Sequence, residues 1–511
     1  MLLQETILCA TAPTPSVAGP GLIAVHDIQT GATLASFKQT NAGPHSIAVL
    51  ESKNTQGGFI LASQPEKLVL NVYNFQKDQI SLKIFLPEKL TAISIDPRGD
   101  FCAGGTAAGR IYLWETASGI LFNSWDAHYR QVNVLRFTTD GAALISGSDD
   151  SGVNVWSVSR LLDEETQNEP LMPYCTLSDH TLPVTDIICG IGLFPECRVL
   201  TSSLDHSVKL WDLSSKSLLT TFHFPQPISY LAWDATERLF FAASSDGSIH
   251  QMNLFRERES KIGGIVTEAV GGAGVTDVIR ADDDESREAR KKRLISVGQP
   301  ISSMCMSLTS TNLLVGTSDG LIHIYDVPSH QLLRTISNHK GMSIAHLQTM
   351  VKPPDLIGHI GLEFRSGNSN DAKDTVPVKP VMNFQKTRDP KPRHAHEITA
   401  MLPAGNRAYK DESTSYSTEE LLRDYAYFVQ PVTSTKAGEP NPVALNSKII
   451  ELESELENMR ELLSKAKGVN DAMWETVVQK LVSSVNDQEI SAPQESDPAD
   501  QERSRKRGRA L

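Results

Sequence analysis

The sequence predicts an all-β fold, a seven-bladed β-propeller, followed by an extended strap and a C-terminal α-helical coiled coil. Three observations carry this reading. A short alternating run ending in Trp recurs at Trp114, Trp156 and Trp211, and weaker copies end at His26, Tyr73, Met252 and Tyr325. The intervals between these seven positions are 47, 41, 42, 55, 41 and 73 residues, a period of ~40–45 with two insertions. Within a period, short strands alternate with turn pairs: Val132–Phe137, Asp140-Gly141, Ala143–Ser146 and Val153–Trp156 succeed one another. That is the signal of antiparallel hairpins. A four-stranded sheet of this size cannot bury both faces alone, whereas seven packed radially can.

The propeller is expected over residues 1–350. Its first unit opens on the strand Glu5–Ala10 with no innermost strand before it, and Ser343–Gln348, after the seventh unit, is expected to supply that strand and close the ring. Two units carry a further pattern. His128, Ser146, Asp150 and Trp156 form one set, and His180, Thr201, Asp205 and Trp211 the other, with identical Ser/Thr-to-Asp and Asp-to-Trp spacings. His, Ser and Asp are the residue types of a hydrolase triad. Recurrence in two units, each with a Trp, favours a repeated network of buried hydrogen bonds that ties strands together. No catalytic residue is therefore expected. These tetrads and the Trp period mark the units as WD repeats; the third has Trp114 but Gly104 and Ala108 at the network positions, so its network is expected to be missing.

The insertion at about 256–300 holds Gly263-Gly264, Gly271-Gly272, the acidic run Asp282–Glu285 and the basic run Arg290–Arg293. Such composition predicts a mobile loop. Its basic run reads either as a solvated loop or as a contact for rRNA or an acidic partner. Residues 351–444 contain ten of the 27 prolines and read as an extended strap or linker in which Asn383-Phe384 and Leu421–Phe428 are apolar enough to dock. His394-Ala-His396 lies within it, but no Cys or further His stands nearby at ligand spacing, so no metal and no other cofactor is expected.

The coiled coil is expected over 445–485. Leu445, Ile449, Leu452, Leu456, Met459 and Leu463 fall at spacings of 4, 3, 4, 3 and 4, a heptad seam for self-association. A second helical stretch, Val469–Ser484, can extend or brace it. The tail, 486–511, reads as disordered and ends in Arg503, Arg505, Lys506, Arg507 and Arg509, a nuclear import signal or a nucleic-acid patch, with import favoured.

Composition bounds the partners. A net charge of −13 over 511 residues opposes non-specific coating of nucleic acid. No window approaches ~18 consecutive apolar residues, the N-terminus has no basic stretch of a signal peptide, and membrane contact is not expected. Six scattered cysteines without a C-x-x-C pair point to a reducing compartment.

At Ile111–Glu115 with Ser118–Leu121, Ala127–Arg130, Asp179–Ile187 and Asn253–Phe255, the chain resembles the WD-repeat (Ipi-three type) subunits of the Rix/PELP complex, which processes large-subunit pre-rRNA. The Thr181-Leu-Pro183 within Asp179–Ile187 is the most discriminating segment, since a generic WD repeat does not require it. The resemblance implies a non-catalytic scaffold in the nucleolus and nucleoplasm. Its partners would be a large helical-repeat subunit, a smaller third subunit, the pre-60S particle and a giant AAA-type ATPase that the complex helps recruit. It also implies a role in removing the second internal transcribed spacer, and pairing of two copies through the C-terminal helix. A scaffold in DNA replication or chromatin is the alternative. A cullin ubiquitin-ligase receptor would carry Trp-Asp-x-Arg, where this chain has Trp211-Asp212-Leu213-Ser214; a phosphoinositide-binding propeller would carry Phe-Arg-Arg-Gly, where it has Phe255-Arg256-Glu257-Arg258.

Overall fold

A computed structural model describes residues 4–14, 19–52, 56–163, 171–259, 265–270, 277–281, 293–358, 378–384, 386–387, 452–468 and 473–474. The chain divides into two compact units, residues 1–409 and 410–511.

The first unit holds seven sheets of at least four strands, which are the seven blades of the propeller. Each blade places its repeat position on the third strand outward from the ring axis. Tyr73 lies on Val69–Asn74, Trp114 on Arg110–Glu115, Trp156 on Val153–Ser157, Trp211 on Ser207–Asp212, Met252 on Ser248–Asn253 and Tyr325 on Ile322–Asp326. Blade 1 is built from both ends of the propeller. Its order is Thr33–Thr40, Gly21–Asp27, Glu5–Ala12, then Ser343–Val351 innermost, the last two antiparallel from Glu5↔Val351 to Ala12↔Ser343. Ser343–Val351 thus supplies the missing strand and closes the ring.

Neighbouring blades are joined by apolar side chains that interleave between sheets, as where Trp125, Leu135 and Trp156 meet. A polar belt reinforces them at the innermost strands. Four of them begin with an apolar residue followed by Thr, Asn or Ser whose side chain hydrogen-bonds the carbonyl of the next blade's first or second residue. Thr91 donates to Val132 O at 2.6 Å, Asn133 to Val184 O at 2.9 Å, Thr185 to Ile228 O at 2.7 Å and Ser302 to Ile344 O at 2.8 Å. The period-2 alternation thus serves two ends: one face packs on the neighbouring blade, and a polar edge pins the next strand.

The two long repeat intervals have different causes. Between Trp156 and Trp211 the chain adds a short helix, Val158–Leu162, whose Val158 and Leu161 are buried against the propeller. Between Met252 and Tyr325 lies the insertion, expected at about 256–300 as a mobile loop, and within it the structure places strands. Phe255–Glu259 pairs with Ile265–Ala269 as a hairpin, Asp277–Arg280 adds in parallel to the outer strand of blade 5, and Leu294–Ser296 is the outer strand of blade 6. Exposed outer strands offer unpaired backbone groups, which recruited passing chain despite its polar composition.

The strap meets the propeller at residues 378–387. Val378 bridges Gly57, Lys379 pairs with Asp100 at 2.6 Å, Met382 N donates to Thr116 O at 3.0 Å, and Lys386–Thr387 adds in parallel to the outer strand of blade 3. Leu421–Phe428, His394 and His396 lie outside the described residues.

In the second unit a helix covers 452–468, and residues 473–474 are helical. No helix among the described residues is long and apolar enough to cross a membrane.

Candidate functional site

Both tetrads are assembled by the same local geometry. In blade 4, Ser146 stands two residues beyond Leu144, which pairs with Trp156 on the adjacent strand. The Trp156 indole donates to Ser146 Oγ at 3.0 Å, and His128 Nε2 meets the same hydroxyl at 2.8 Å. Asp150 holds His128 Nδ1 at 3.1 Å and accepts from the backbone N–H of Tyr129 and Gly152. Blade 5 repeats the arrangement. Trp211 donates to Thr201 Oγ1 at 2.9 Å, His180 Nε2 meets that oxygen at 2.8 Å, and Asp205 holds His180 Nδ1 at 2.9 Å. The His, Ser and Thr side chains are buried.

Electrostatics follows from this enclosure. Burial disfavours the Asp150 carboxylate, but hydrogen bonds from His128, Gly152 and Tyr129 outweigh that cost and hold its pKa down to about 2. Asp205 is depressed in the same way by His180, Ser207 and Thr181. Each hydroxyl is engaged on two sides and buried, so it is neither free nor exposed as a nucleophile must be. The tetrads are braces.

Blade 3 lacks the brace. Trp114 pairs with Cys102, so Gly104 occupies the hydroxyl position, and a Cβ there would press on the Trp114 ring and Leu90. Trp114 is held by stacking instead: Tyr112 lies at 5.2 Å on one contact and the strap's Phe384 at 5.1 Å on another, both nearly parallel. Phe384 is buried.

A polar group not found from the sequence sits where innermost strands converge. Asp186 lies 3.7 Å from Arg136 and 4.0 Å from His45, and accepts from Leu231 N at 3.0 Å. Arg136 in turn donates to Ile187 O. These bonds join blade 4 to blade 5 and blade 5 to blade 6. Burial lowers the His45 pKa, opposed by Asp186 and reinforced by Arg136. Single residues spread over separate repeats carry no spacing that sequence could report.

The self-association seam is described in part. Leu452, Leu456, Met459 and Leu463 lie on the 452–468 helix with half or more of their surface exposed; Leu445 and Ile449 lie outside the described residues. Lys465 pairs with Glu461 at 2.8 Å, one turn apart. Arg503, Arg505, Lys506, Arg507 and Arg509 also lie outside them. Of the Arg290–Arg293 run, Arg293 is described, and its carbonyl accepts from Gln251 N at 2.9 Å.

A ring of seven sheets of four or five strands, two of them braced by His–Ser/Thr–Asp–Trp networks, defines a WD-repeat protein, and the WD domain, G-beta repeat model matches residues 119–157 and 172–212, the two braced repeats. The chain is 33% identical to the pre-rRNA-processing protein IPI3 of Mycosarcoma maydis, covering 94% of this chain and 97% of that protein. It is 29% identical to the protein of the same name in Yarrowia lipolytica (88% and 95% covered) and 32% identical to human WD repeat-containing protein 18 (65% and 70% covered). The chain belongs to the IPI3 family of WD-repeat proteins.

Proposed function

We propose that the protein is a non-catalytic scaffold in ribosome biogenesis, acting in the nucleus on the large-subunit precursor. The observation that carries this is similarity to relatives named for pre-rRNA processing over 94% and 88% of the chain. The geometry supports a scaffold. The His–Ser/Thr–Asp sets are consumed in bracing, and what remains is a rigid ring with a docked strap and an apolar helical stripe. On this reading the protein works with a large helical-repeat subunit and a smaller third subunit, promotes removal of the second internal transcribed spacer and helps bring the AAA-type ATPase to pre-60S particles. The exposed stripe Leu452, Leu456, Met459 and Leu463 pairs two copies, which multiplies apparent affinity by ~10²–10⁴ where both engage. The test is depletion of the protein followed by hybridisation for the spacer. Accumulation of spacer-containing large-subunit precursor is expected; normal precursor levels with a fully depleted protein contradict the proposal.

A further inference from the structure

The blade that closes the ring has its own version of the brace, with the chemistry changed. Ile7 pairs with His26, as Leu144 pairs with Trp156 and Val199 with Trp211. Cys9, two residues beyond Ile7, therefore stands where Ser146 and Thr201 stand, and His26 where the two Trp residues stand. His339 corresponds to His128. Each follows the outer strand of the preceding blade, and each has its carbonyl against a positive-φ glycine, Gly320 (+84°) for His339 and Gly109 (+88°) for His128, where a Cβ would collide with that carbonyl. The brace's aspartate has no counterpart in the sequence, since residues 13–20, between the first two strands, include no acidic residue.

Each replacement exchanges a group that cannot ligate a soft or borderline metal well for one that can. A hydroxyl becomes a thiol, and an indole N–H, a donor with no lone pair, becomes an imidazole. Cys9 Sγ, His26 Nε2 and His339 Nε2 all lie within 4.8 Å of one another, and all three residues are buried. The thiol sulfur is 3.5 Å from His339 Nε2, close to the roughly 3.6 Å expected between a sulfur and a nitrogen on one tetrahedral zinc ion. The two ring nitrogens are 2.8 Å apart and need to open by about half an ångström to reach the roughly 3.3 Å of two zinc-bound nitrogens. The outer support is in place. Thr33 Oγ1 bonds His26 Nδ1 at 3.2 Å and is itself held by Asn338, leaving Nε2 to face the other two groups.

We propose that Cys9, His26 and His339 form a zinc site that staples the first strand of the chain to the last blade, with the fourth tetrahedral position taken by water. Burial keeps both imidazoles neutral, with His26 lowered to about 4 by burial and by His339, so their lone pairs are available. Burial pushes the Cys9 thiol up to about 12, which opposes ionisation, so the incoming metal has to displace that proton, which passes to solvent.

The test uses the full chain, stripped with chelator and titrated with Co²⁺. The expected result is saturation at a single equivalent, with the visible bands of tetrahedral cobalt and a thiolate-to-cobalt charge-transfer band, both removed by Zn²⁺. Zn²⁺ should raise the Tm of the stripped protein. Cys9→Ser should abolish the charge-transfer band. The double variant Cys9→Ser with His26→Trp recreates the residue types of the blade 4 brace. It should fold, show neither band and have a Tm indifferent to Zn²⁺. A stripped protein with no charge-transfer band and no Tm response overturns the proposal. So does a double variant whose cobalt spectrum matches the wild type, since the metal would then be held elsewhere.

Discussion

The tetrad aspartates decide more than their size suggests. Each is half-enclosed, fixes a buried histidine and caps backbone N–H groups in its turn. Asp205→Ala removes the acceptor of Thr181 N and of the Ser207 hydroxyl and leaves His180 Nδ1 only its 3.3 Å contact with Ser207 Oγ, and a loss of about 1–3 kcal/mol is expected. Thermal unfolding checks it, and an unchanged Tm contradicts the bracing role. The sign of the pH dependence follows from Asp150. Its folded pKa, about 2, is below the unfolded value near 4, so its contribution is fully present above pH ~4 and is lost as pH falls toward 2. Asp150→Asn should therefore flatten that part of the acid unfolding profile, and a profile as steep as the wild type contradicts the assignment. The eight tetrad residues were legible because a fixed spacing occurs twice. Cys9, His26 and His339 were not: the pattern survives there only as positions, with different residue types and 313 residues between its two histidines. Aligning the first unit's Ile7 and Cys9 with Leu144 and Ser146 is the signal that finds them.

Among the elements, the strap and the C-terminal helix make opposite demands. Phe384 fills a stacked position beside Trp114 that Gly104 leaves without a brace, and so adds an apolar anchor to the Lys379–Asp100 ion pair and the Met382 N–Thr116 O hydrogen bond that also join the strap to blade 3. Truncating a buried Phe costs about 3–5 kcal/mol in a core. Phe384→Ala is expected to release the strap locally before the propeller unfolds, seen as faster proteolysis around residues 378–387 with the main thermal transition nearly unmoved. Unchanged proteolysis contradicts the docking role. The helix has leucines exposed, and among the described residues of its own unit none covers them. Leu452→Asp combined with Leu456→Asp should halve the solution mass measured by light scattering, whereas an unchanged mass removes the paired-copy reading. The strap's dockable Phe384 was visible in the sequence as an apolar island among prolines. The strands of the 256–300 insertion were not, because Asp277–Arg280 gains its structure from an open sheet edge on blade 5 rather than from its own pattern.

At the scale of the whole molecule, the seven-fold repeat was readable from its period, since six of the seven units place an apolar or aromatic residue at the same point of the third strand and the first places His26 there. Closure was readable because an unpartnered first strand requires a late one, and Ser343–Val351 is that strand. The consequence is a ring whose first and last segments share one sheet, a rigid body suited to holding partners in fixed relation. The claim that those partners belong to the large-subunit assembly line is tested most directly by purifying the tagged protein from nuclear extract. The bound proteins and RNA are then identified by mass spectrometry and a probe for the second internal transcribed spacer. Spacer-containing pre-rRNA together with a large helical-repeat protein and a giant AAA-type ATPase is the predicted result. Replication factors, chromatin proteins or cullin adaptors recovered without pre-rRNA would contradict the account.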